Sequence, residues 1–427
     1  MSGGAQNVGV TSRAVTVGLG VAYVAASVVA PLILKTTPSD LDLYFWPSAE
    51  TVVSGHPLLI YAAHLHDVYP NANGPLGLVP LIPVAALANA LGWAGSLAGR
   101  AALAGAVVSL FVLLLAFQTV RLIETARGGL RRPLLVACTV LLAPALWIGV
   151  LDYGHVEQPI ELCFTLLAIR CFLRRSDALT GIALGAAVLT RTIAGFVALP
   201  FLLIPHAAGR LRTSATVALA AATTIAVVMA PFLLADAQAV THSLLTYRGS
   251  LPIGGGSFWI IVRDASWAGV IRSGDVYIGA AVALALVALT LRRNPTVART
   301  HAGLAGLLTV VSCCFPLLAK TVFPYYLLEP YLFAVLWWMS RPGTALNWRA
   351  VVPVLLTIDV FIVKAAQSVP SSSLSVIASV LSSFVVGLAT GLVTLDLLRT
   401  PEAAMHAPTP RLDRRRQVVR AVQDARG

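Results

Sequence analysis

Residues 35–75 read KTTPSDLDLYFWPSAETVVSGHPLLIYAAHLHDVYPNANGP. This polar stretch follows directly on the apolar segment 14–34 and holds two acids, Asp40 and Asp42, near its start. Further polar side chains along it are His64, His66 and Asn73. It is the largest cluster of ionisable groups beside a predicted membrane face. We therefore predict that it forms a loop outside the membrane and supplies half of an active site.

The composition of the chain indicates the class of protein before any motif does. Of the 427 residues, 58% are hydrophobic and 11% are charged, and the mean hydropathy is +0.84. Long apolar runs recur almost to the C-terminus, which is typical of an all-α polytopic membrane protein, because a helix bonds its own backbone groups inside lipid. The formal net charge of +12 arises from arginines in short loops and in the tail, so no nucleic-acid partner is expected.

Neither the cysteines nor the histidines predict a metal centre. The five cysteines lie in apolar segments without the spacing of metal ligands, and the HLHD string at 64–67 is short. We therefore expect no required cofactor, and the sequence leaves dependence on a divalent metal open.

The distribution of arginine predicts the topology. Arginine-rich turns alternate along the chain with loops rich in acids and histidine, and positive loops stay in the cytoplasm. This alternation predicts about twelve transmembrane helices, with both termini in the cytoplasm and a single domain at 1–396. The loops 35–75, 151–157 and 235–276 then lie outside. The basic tail 397–427 is expected to be a disordered cytoplasmic segment attracted to anionic membrane lipids.

Two short helices are expected in and after the first loop. Residues 46–54 are predicted to form a helix on the membrane surface. Residues 76–91 are apolar but short for a crossing and contain Pro80 and Pro83, so we interpret them as a re-entrant or juxtamembrane helix. The apolar run 134–150 is predicted to be one span.

Carboxylates at the outer face are candidates for a general base. In an extended backbone Asp40 and Asp42 would face opposite sides, so that one would face a cavity and the other water. A carboxylate among apolar neighbours can take a proton from a substrate hydroxyl, although an isolated acid at such a position is more often only solvated. A second cluster, at the outer end of a span, comprises Asp152, His155 and Glu157.

Cations on the outer face predict an anion. Arg248, Arg263 and Arg272 break the positive-inside trend, and the glycines of the same loop are typical of a segment that closes over a ligand. Arg191 lies between two apolar segments, where it either has a function or extends its guanidinium to the interface. The outer end of a later span carries residues that form either an aromatic belt or a sugar pocket, namely Tyr325, Tyr326 and Glu329.

Several short strings resemble those of one enzyme superfamily. DLDLY at 40–44, followed by AETVVSGHP at 49–57, is similar to the first loop of the C-type glycosyltransferases. More narrowly, it resembles the actinobacterial mannosyltransferases that use polyprenyl-phosphate mannose. GHVEQPIELCFTLLA at 154–168 with LTGIALGAAVLTR at 179–191, and GGGSFWIIVR at 254–263, resemble later regions of the same family.

The resemblance implies an inverting glycosyltransferase of the plasma membrane with its active site on the outer face. Asp40, at the head of DLDLY, would be the general base, with Asp42 as the alternative. The donor phosphate would be bound by Arg191 and Arg263. The sugar and acceptor pocket would comprise Tyr44, His64, His66, Asn73, Asp152, His155, Glu157, Tyr325 and Glu329. The implied partners are a polyprenyl-phosphate sugar donor, with mannose the expected sugar, and a lipid or glycan acceptor.

Two departures from the family pattern leave the sugar and the acceptor open: His155 stands where glutamine is more usual, and Arg191 replaces lysine. A secondary transporter and a flippase of lipid-linked sugars are alternatives of another class. Against a transporter, polar residues concentrate in loops at one face and no internal repeat is visible. Convergence of Asp40, Asp152 and Arg191 at one face would favour the enzyme, whereas charges along a path across the bilayer would favour transport.

Overall fold

The computed structural model describes residues 4–35, 38–62, 70–128, 133–341, 347–369 and 373–399. Every regular element in these ranges is a helix, and no β-strand occurs in them. In chain order the α-helices are α1 Gly4–Leu34, α2 Trp46–Val53, α3 Leu81–Ala90, α4 Leu97–Arg127, α5 Pro133–Leu141, α6 Pro144–Ile148, α7 Glu157–Leu173, α8 Asp177–Thr190, α9 Ala198–Ala207, α10 Leu211–Thr241, α11 Tyr247–Ser250, α12 Ala268–Arg293, α13 His301–Leu318, α14 Leu328–Ser340, α15 Val351–Ser368 and α16 Ser373–Arg399.

Eight helical segments of the described chain are long and apolar enough to cross a membrane. They are Val17–Leu34, Leu97–Arg127, Pro133–Tyr153, Leu211–Ser250, Ala268–Arg293, His301–Leu318, Trp348–Ser368 and Ser373–Arg399. The predicted all-α, multi-pass membrane protein is thereby confirmed. Helices α7, α8, α9 and α14 have 17, 14, 10 and 13 residues. Because a crossing takes roughly 20 residues, the total of about twelve crossings stays a prediction.

Helix α13 forms the centre of the bundle. Its side chains are almost all buried, and it packs against α12, α14 and α16. On one side α14 contacts α4, which packs in turn against α1 and α7; on the other side α9 contacts α12, and α8 lies between α7 and α10. Helices α1 and α10 bury only a small part of their apolar surface inside the protein. This is the surface that lipid-facing helices at the edge of a bundle present.

The contact between α8 and α10 is built on small residues. Gly181 and Gly185 stand one helical turn apart, so they share one face of α8. A Cβ atom at Gly181 would lie 2.4 Å from the Val217 carbonyl oxygen, and one at Gly185 would lie 2.9 Å from the Ala221 carbonyl oxygen. Only glycine lets the two backbones approach this closely, as at many helix interfaces in membranes. The contact holds Arg191, which follows α8 directly, in a fixed position.

Two of the short elements agree with the sequence analysis. The helix predicted at 46–54 is confirmed as α2, and the segment 76–91 contains the ten-residue helix α3. Helix α3 is too short to cross a bilayer, and its interpretation as a re-entrant or juxtamembrane helix stays a prediction.

Two of the predicted boundaries differ from the structure. The span predicted at 134–150 lies within the candidate crossing Pro133–Tyr153, but its helix is broken, because α5 ends at Leu141 and Pro144, which lacks an N–H to continue the helix, starts α6. The loop predicted at 235–276 is shorter, since α10 continues through a kink at Asp236 to Thr241 and α12 already begins at Ala268. Apolar content alone marks a membrane segment but not where its helix ends.

Charged side chains collect at the two ends of the bundle. At one end Arg341 and Arg349 both donate to Asp396 at 2.7 Å, and Arg127 donates to the Arg341 carbonyl oxygen at 2.8 Å. The opposite end carries the first loop, the start of α7 and the junction of α8 with α9. The basic tail predicted from residue 397 begins inside α16, which continues to Arg399, and residues 400–427 lie outside the described chain.

Candidate active site

Asp40 and Asp42 belong to one short helical turn and contact different partners. Residues Leu41–Phe45 form a π-helical turn rather than the extended backbone expected from the sequence. Asp40 Oδ2 lies 2.8 Å from His155 Nε2, and the Asp40 side chain is 19% exposed. Asp42 pairs instead with Arg100 of α4 at 2.5 Å and is 37% exposed. The two acids therefore point in different directions, although through helical spacing and not through strand alternation.

Gly154 brings the second polar loop against the first. Its φ of +75° lies in the left-handed region that glycine adopts without strain. A Cβ atom at this position would lie 2.3 Å from Leu41 Cβ, so a larger residue would push the two loops apart. The next residue, His155, contacts Asp40 through Nε2 and Glu157 through Nδ1. Asp40, His155 and Glu157 thus form a hydrogen-bonded chain from the first loop into the protein interior.

His155 is held between two carboxylates and an aromatic ring. Its ring centroid lies 3.7 Å from that of Tyr325, with 33° between the ring planes, and its side chain is 8% exposed. Burial alone would lower the pKa of His155, but the charge of Glu157 and the hydrogen bonds to Asp40 and Glu157 outweigh burial and raise the pKa to about 9. His155 is therefore an imidazolium at neutral pH and donates from both ring nitrogens.

His155 belongs to a buried charge cluster with Glu157, Arg191 and Glu329. Arg191, between α8 and α9, donates to Glu329 of α14, and its Nε lies 3.7 Å from Glu157 Oε1 at the start of α7. All four residues are less than one-tenth exposed. His155 and Arg191 are the basic side chains that contact Glu157 and Glu329 in this cluster. Asp40 lies at the partly exposed edge of the cluster.

One helical turn further along α7, Glu161 extends the cluster inward. Gln158 donates to Glu329 Oε2 at 2.8 Å. Glu161 is fully buried; its Oε1 accepts from the Thr165 hydroxyl at 2.7 Å, and within the described chain its Oε2 has no partner. A cavity of about 20 Å³ is lined by Glu161, Arg191 and Glu329. This volume has room for about one water molecule, which could satisfy the unpaired oxygen.

A second, cationic cluster comprises Arg248, Asp275 and Lys320. Asp275 accepts from the Arg248 guanidinium at 3.1 Å and from the Lys320 N–H at 2.9 Å, while Lys320 Nζ donates to the carbonyls of Arg248 and Arg272. Burial lowers the pKa of Lys320 to about 8, and Asp275 offsets burial only in part. The Arg248 guanidinium lies over the Phe315 ring at 4.9 Å, and its side chain is 29% exposed. This cluster carries one excess positive charge.

Tyrosines connect the two clusters. The Arg191 guanidinium lies 5.5 Å from the Tyr326 ring, and Arg248 Nη1 lies 3.5 Å from the Tyr326 hydroxyl. Tyr44, on the same turn as the two aspartates, places its hydroxyl 2.9 Å from that of Tyr247, the residue before Arg248. An acidic group and a cationic group are therefore joined through aromatic residues. Aromatic rings and charged groups are side chains that a sugar phosphate can contact.

The structure brings together six of the predicted site residues, namely Asp40, His155, Glu157, Arg191, Tyr325 and Glu329. Tyr44 lies one turn away from them. Asp152 does not join them by a contact: it pairs with Lys364 of α15 at 2.9 Å, and the two side chains are 42% and 40% exposed. Asp40 and Arg191 therefore belong to one connected cluster, whereas Asp152 contacts another helix, and convergence of all three at one face stays a prediction.

The remaining predicted residues contribute less to the site. Arg263 lies 3.4 Å from Asp264 and is 42% exposed, and no hydrogen bond or ion pair of the described chain joins it to Arg191. Asn73 accepts from the Tyr61 hydroxyl at 3.0 Å through its carbonyl oxygen, so its backbone shapes the first loop. Two further candidates, His64 and His66, lie outside the described residues.

Gln158, Glu161 and the Asp275–Lys320 pair were not among the residues predicted from the sequence. A signal existed for the first two, because polar residues one turn apart inside an apolar helix share a face. Asp275 and Lys320 are 45 positions apart in the chain, and no local pattern connects them.

Among the described residues, no group of three or more His, Cys, Asp or Glu side chains is arranged to hold a metal ion. Comparisons with protein-family models, with curated proteins and with solved structures find no match to this chain. A functional assignment therefore rests on the chemistry of the site.

Proposed function

We propose that this chain is a multi-pass plasma-membrane glycosyltransferase. It moves a sugar from a polyprenyl-phosphate donor to a hydroxyl group of a lipid or glycan acceptor. The observation that carries the proposal is the chain Asp40–His155–Glu157, which ties an accessible carboxylate to a buried charge cluster. If the protein crosses the membrane about twelve times, these three residues lie on the outer face. Mannose is the sugar expected from the family resemblance.

Asp40 acts as the general base. The His155 imidazolium donates to Asp40 Oδ2, which leaves Oδ1 to accept from a substrate; Oδ1 now accepts from the exposed Ser39 hydroxyl at 3.0 Å. Glu157 and the Tyr325 ring fix the orientation of His155. Since His155 is fixed, Asp40 keeps one orientation toward the acceptor, and a prepositioned base lowers the entropic part of the barrier.

The reaction is an inverting substitution at the anomeric carbon of the donor sugar. The acceptor oxygen bonds to this carbon while its proton passes to Asp40. The bond between the carbon and the phosphate oxygen breaks, and its electron pair leaves with polyprenyl phosphate. Because the attacking oxygen and the leaving group lie on opposite faces of the sugar, the base and the phosphate-binding cation belong on opposite sides of the pocket.

Arg248 is the cation best suited to the donor phosphate. Arg191 is 4% exposed and donates to Glu329, whereas the Arg248 side chain, which donates to Asp275, is 29% exposed and can still be reached by a ligand. For inversion the sugar would lie between Asp40 and Arg248, whose segments meet at the contact of Tyr44 with Tyr247. Arg263 supplies a second, more exposed cation on the same loop. Charge-assisted hydrogen bonds from these groups stabilise the leaving phosphate.

The test is transfer of radiolabelled sugar from polyprenyl-phosphate sugars to a panel of lipid acceptors by the purified protein. Asp40→Asn keeps the size of the side chain but removes its basicity, so turnover should fall by a factor on the order of 10². The matched control is Asp42→Asn, which breaks only a partly exposed ion pair and should be mild. Loss of activity in the control with retention in Asp40→Asn would identify Asp42 as the base.

A transporter or flippase of lipid-linked sugars is the second candidate, favoured by Glu161, a fully buried acid in an apolar helix. The same protein reconstituted in liposomes distinguishes the two. Movement of a lipid-linked sugar across the bilayer without transfer, unaffected by Asp40→Asn, would replace the proposed enzyme with a transporter.

A further inference from the structure

A cleft of about 780 Å³ opens at the arginine-rich end of the bundle. It lies between the α7–α8 turn, the α9–α10 turn and the C-terminal end of α12. Its lining includes Phe172, Arg175, Asp177, Ala207, Arg210 and Pro295. The apolar side chains of this set lie at the ends of α7 and α9 and just after α12. The cleft therefore has an apolar wall and a charged rim, at the end of helices that cross a membrane.

The charges of the cleft are not balanced. Arg175 and Arg210 are exposed, and neither makes an ion pair with a residue of the described chain. Asp177 is the acid in the lining. Further exposed arginines stand directly beside lining residues in the sequence, namely Arg174, Arg292 and Arg293. By contrast, Arg341 and Arg349 are both paired with Asp396 of α16.

The backbone at Arg175 points to a role for its side chain. Arg175 follows α7 with φ of +60°, and Gly209 follows α9 with φ of +70°. In both turns the next residue donates its N–H to the carbonyl five positions back, at 2.9 and 2.8 Å. Glycine is the usual residue at this left-handed position of a helix C-terminus because it adopts the conformation without strain. Glycine would adopt this conformation with less strain at both turns, so the backbone does not explain the arginine at residue 175.

We propose that this cleft binds the headgroup of an anionic membrane phospholipid. Arg175 and Arg210 would bind the phosphodiester, while the acyl chains would lie along the apolar wall formed by Phe172, Ala207 and Pro295. Basic pockets between transmembrane helices are suited to such headgroups. The site does not depend on the catalytic proposal, because it uses none of the residues assigned to sugar transfer.

The C-terminal tail is the other segment that could occupy the cleft. It leaves α16 close by, since Asn294 Nδ2 donates to the Leu397 carbonyl oxygen at 2.7 Å. The tail is basic, so a cleft with excess positive charge would repel it. An anionic lipid has a charge opposite to that of the cleft, and its acyl chains match the apolar wall.

The experiment measures thermal unfolding of the full chain in an uncharged detergent, with increasing amounts of dioctanoyl phosphatidylglycerol. A ligand that binds the folded state raises the midpoint, and the rise grows with the logarithm of the ratio of ligand concentration to dissociation constant. Phosphatidylglycerol should raise it, whereas dioctanoyl phosphatidylcholine and inorganic phosphate should not. Equal effects of the two lipids, or an equal effect of inorganic phosphate, would overturn the proposal.

Arg175→Gly separates binding from folding. It removes the charge and relieves the left-handed strain, so the midpoint without lipid should stay equal or rise, while the affinity for phosphatidylglycerol should fall roughly tenfold or more. Asp177→Asn should raise this affinity. The control is Arg121→Gln on α4, which removes an exposed arginine paired with Glu124. Wild-type lipid affinity in an Arg175→Gly, Arg210→Gln double variant would refute the site.

Discussion

The partners of Asp40 and Arg191 decide what each charge can do. Both residues were predicted from the sequence to act on a substrate. Arg191 is buried and its guanidinium already donates to a carboxylate, whereas Asp40 bonds His155 on one oxygen and only an exposed serine on the other. Asp40 can therefore accept a proton from a ligand, and Arg191 holds together the groups behind it. We expect two experiments to separate these roles.

His155 should make the stability of the protein depend on pH. Its pKa is raised from 6.5 to about 9, so its contribution is complete below pH 6.5 and is lost as the pH rises through about 9. The free energy involved is up to about 3 kcal/mol. The thermal unfolding midpoint should therefore fall across this window, and His155→Gln should flatten the curve. A midpoint that rises in this window would show that His155 is neutral in the folded protein.

Arg191→Ala should destabilise the protein by about 3–5 kcal/mol, because it leaves Glu329 and Glu157 buried without their cation. The double variant with Glu329→Gln should recover part of this loss, which a comparison of unfolding midpoints would measure. Arg121→Ala, at an exposed ion pair, should change stability by less than about 1 kcal/mol. Wild-type stability of Arg191→Ala together with a raised donor KM would instead assign Arg191 to the donor phosphate.

At the scale of helices, the sequence predicted elements that one short segment specifies. It did not predict features that depend on contacts between distant segments. The helix at 46–54 could be predicted because one short segment carries its signal. The break before Pro144 lies inside an apolar run, so hydropathy did not reveal it. The residues of the site were predicted as separate clusters. Asp40 and His155 are 115 positions apart, and only the packing of helices brings them together.

Gly154→Ala should separate the first and second loops. The added Cβ atom would overlap Leu41, and the left-handed backbone would be strained, so we expect a loss of about 1–3 kcal/mol in stability. Sugar transfer should fall as well, because His155 would move away from Asp40. Gly195→Ala is the control, since its Cβ atom would meet nothing within 4 Å. Equal behaviour of the two variants would show that the loops tolerate this displacement.

For the whole molecule, the charge distribution predicts which end faces the cytoplasm. Exposed positions at the two ends, Ser54 after α2 and Ala208 after α9, can be replaced by cysteine after the five native cysteines are changed to alanine. An impermeant maleimide added to intact cells should label position 54 and not position 208, because positive loops stay inside. The reverse labelling would place the site in the cytoplasm and exclude an enzyme of the outer face.

The Arg191–Glu329 pair also constrains how the protein is made. The two residues are 138 positions apart, so a ribosome delivers α8 to the membrane long before it has synthesised α14. During that interval α7 carries Glu157 and Glu161, and α8 ends beside Arg191, whose main partner does not yet exist. Lipid opposes such charges, so the translocon or an insertion chaperone has to shield these short helices until α14 emerges. A nascent chain stalled between α9 and α14 would present them to membrane proteases.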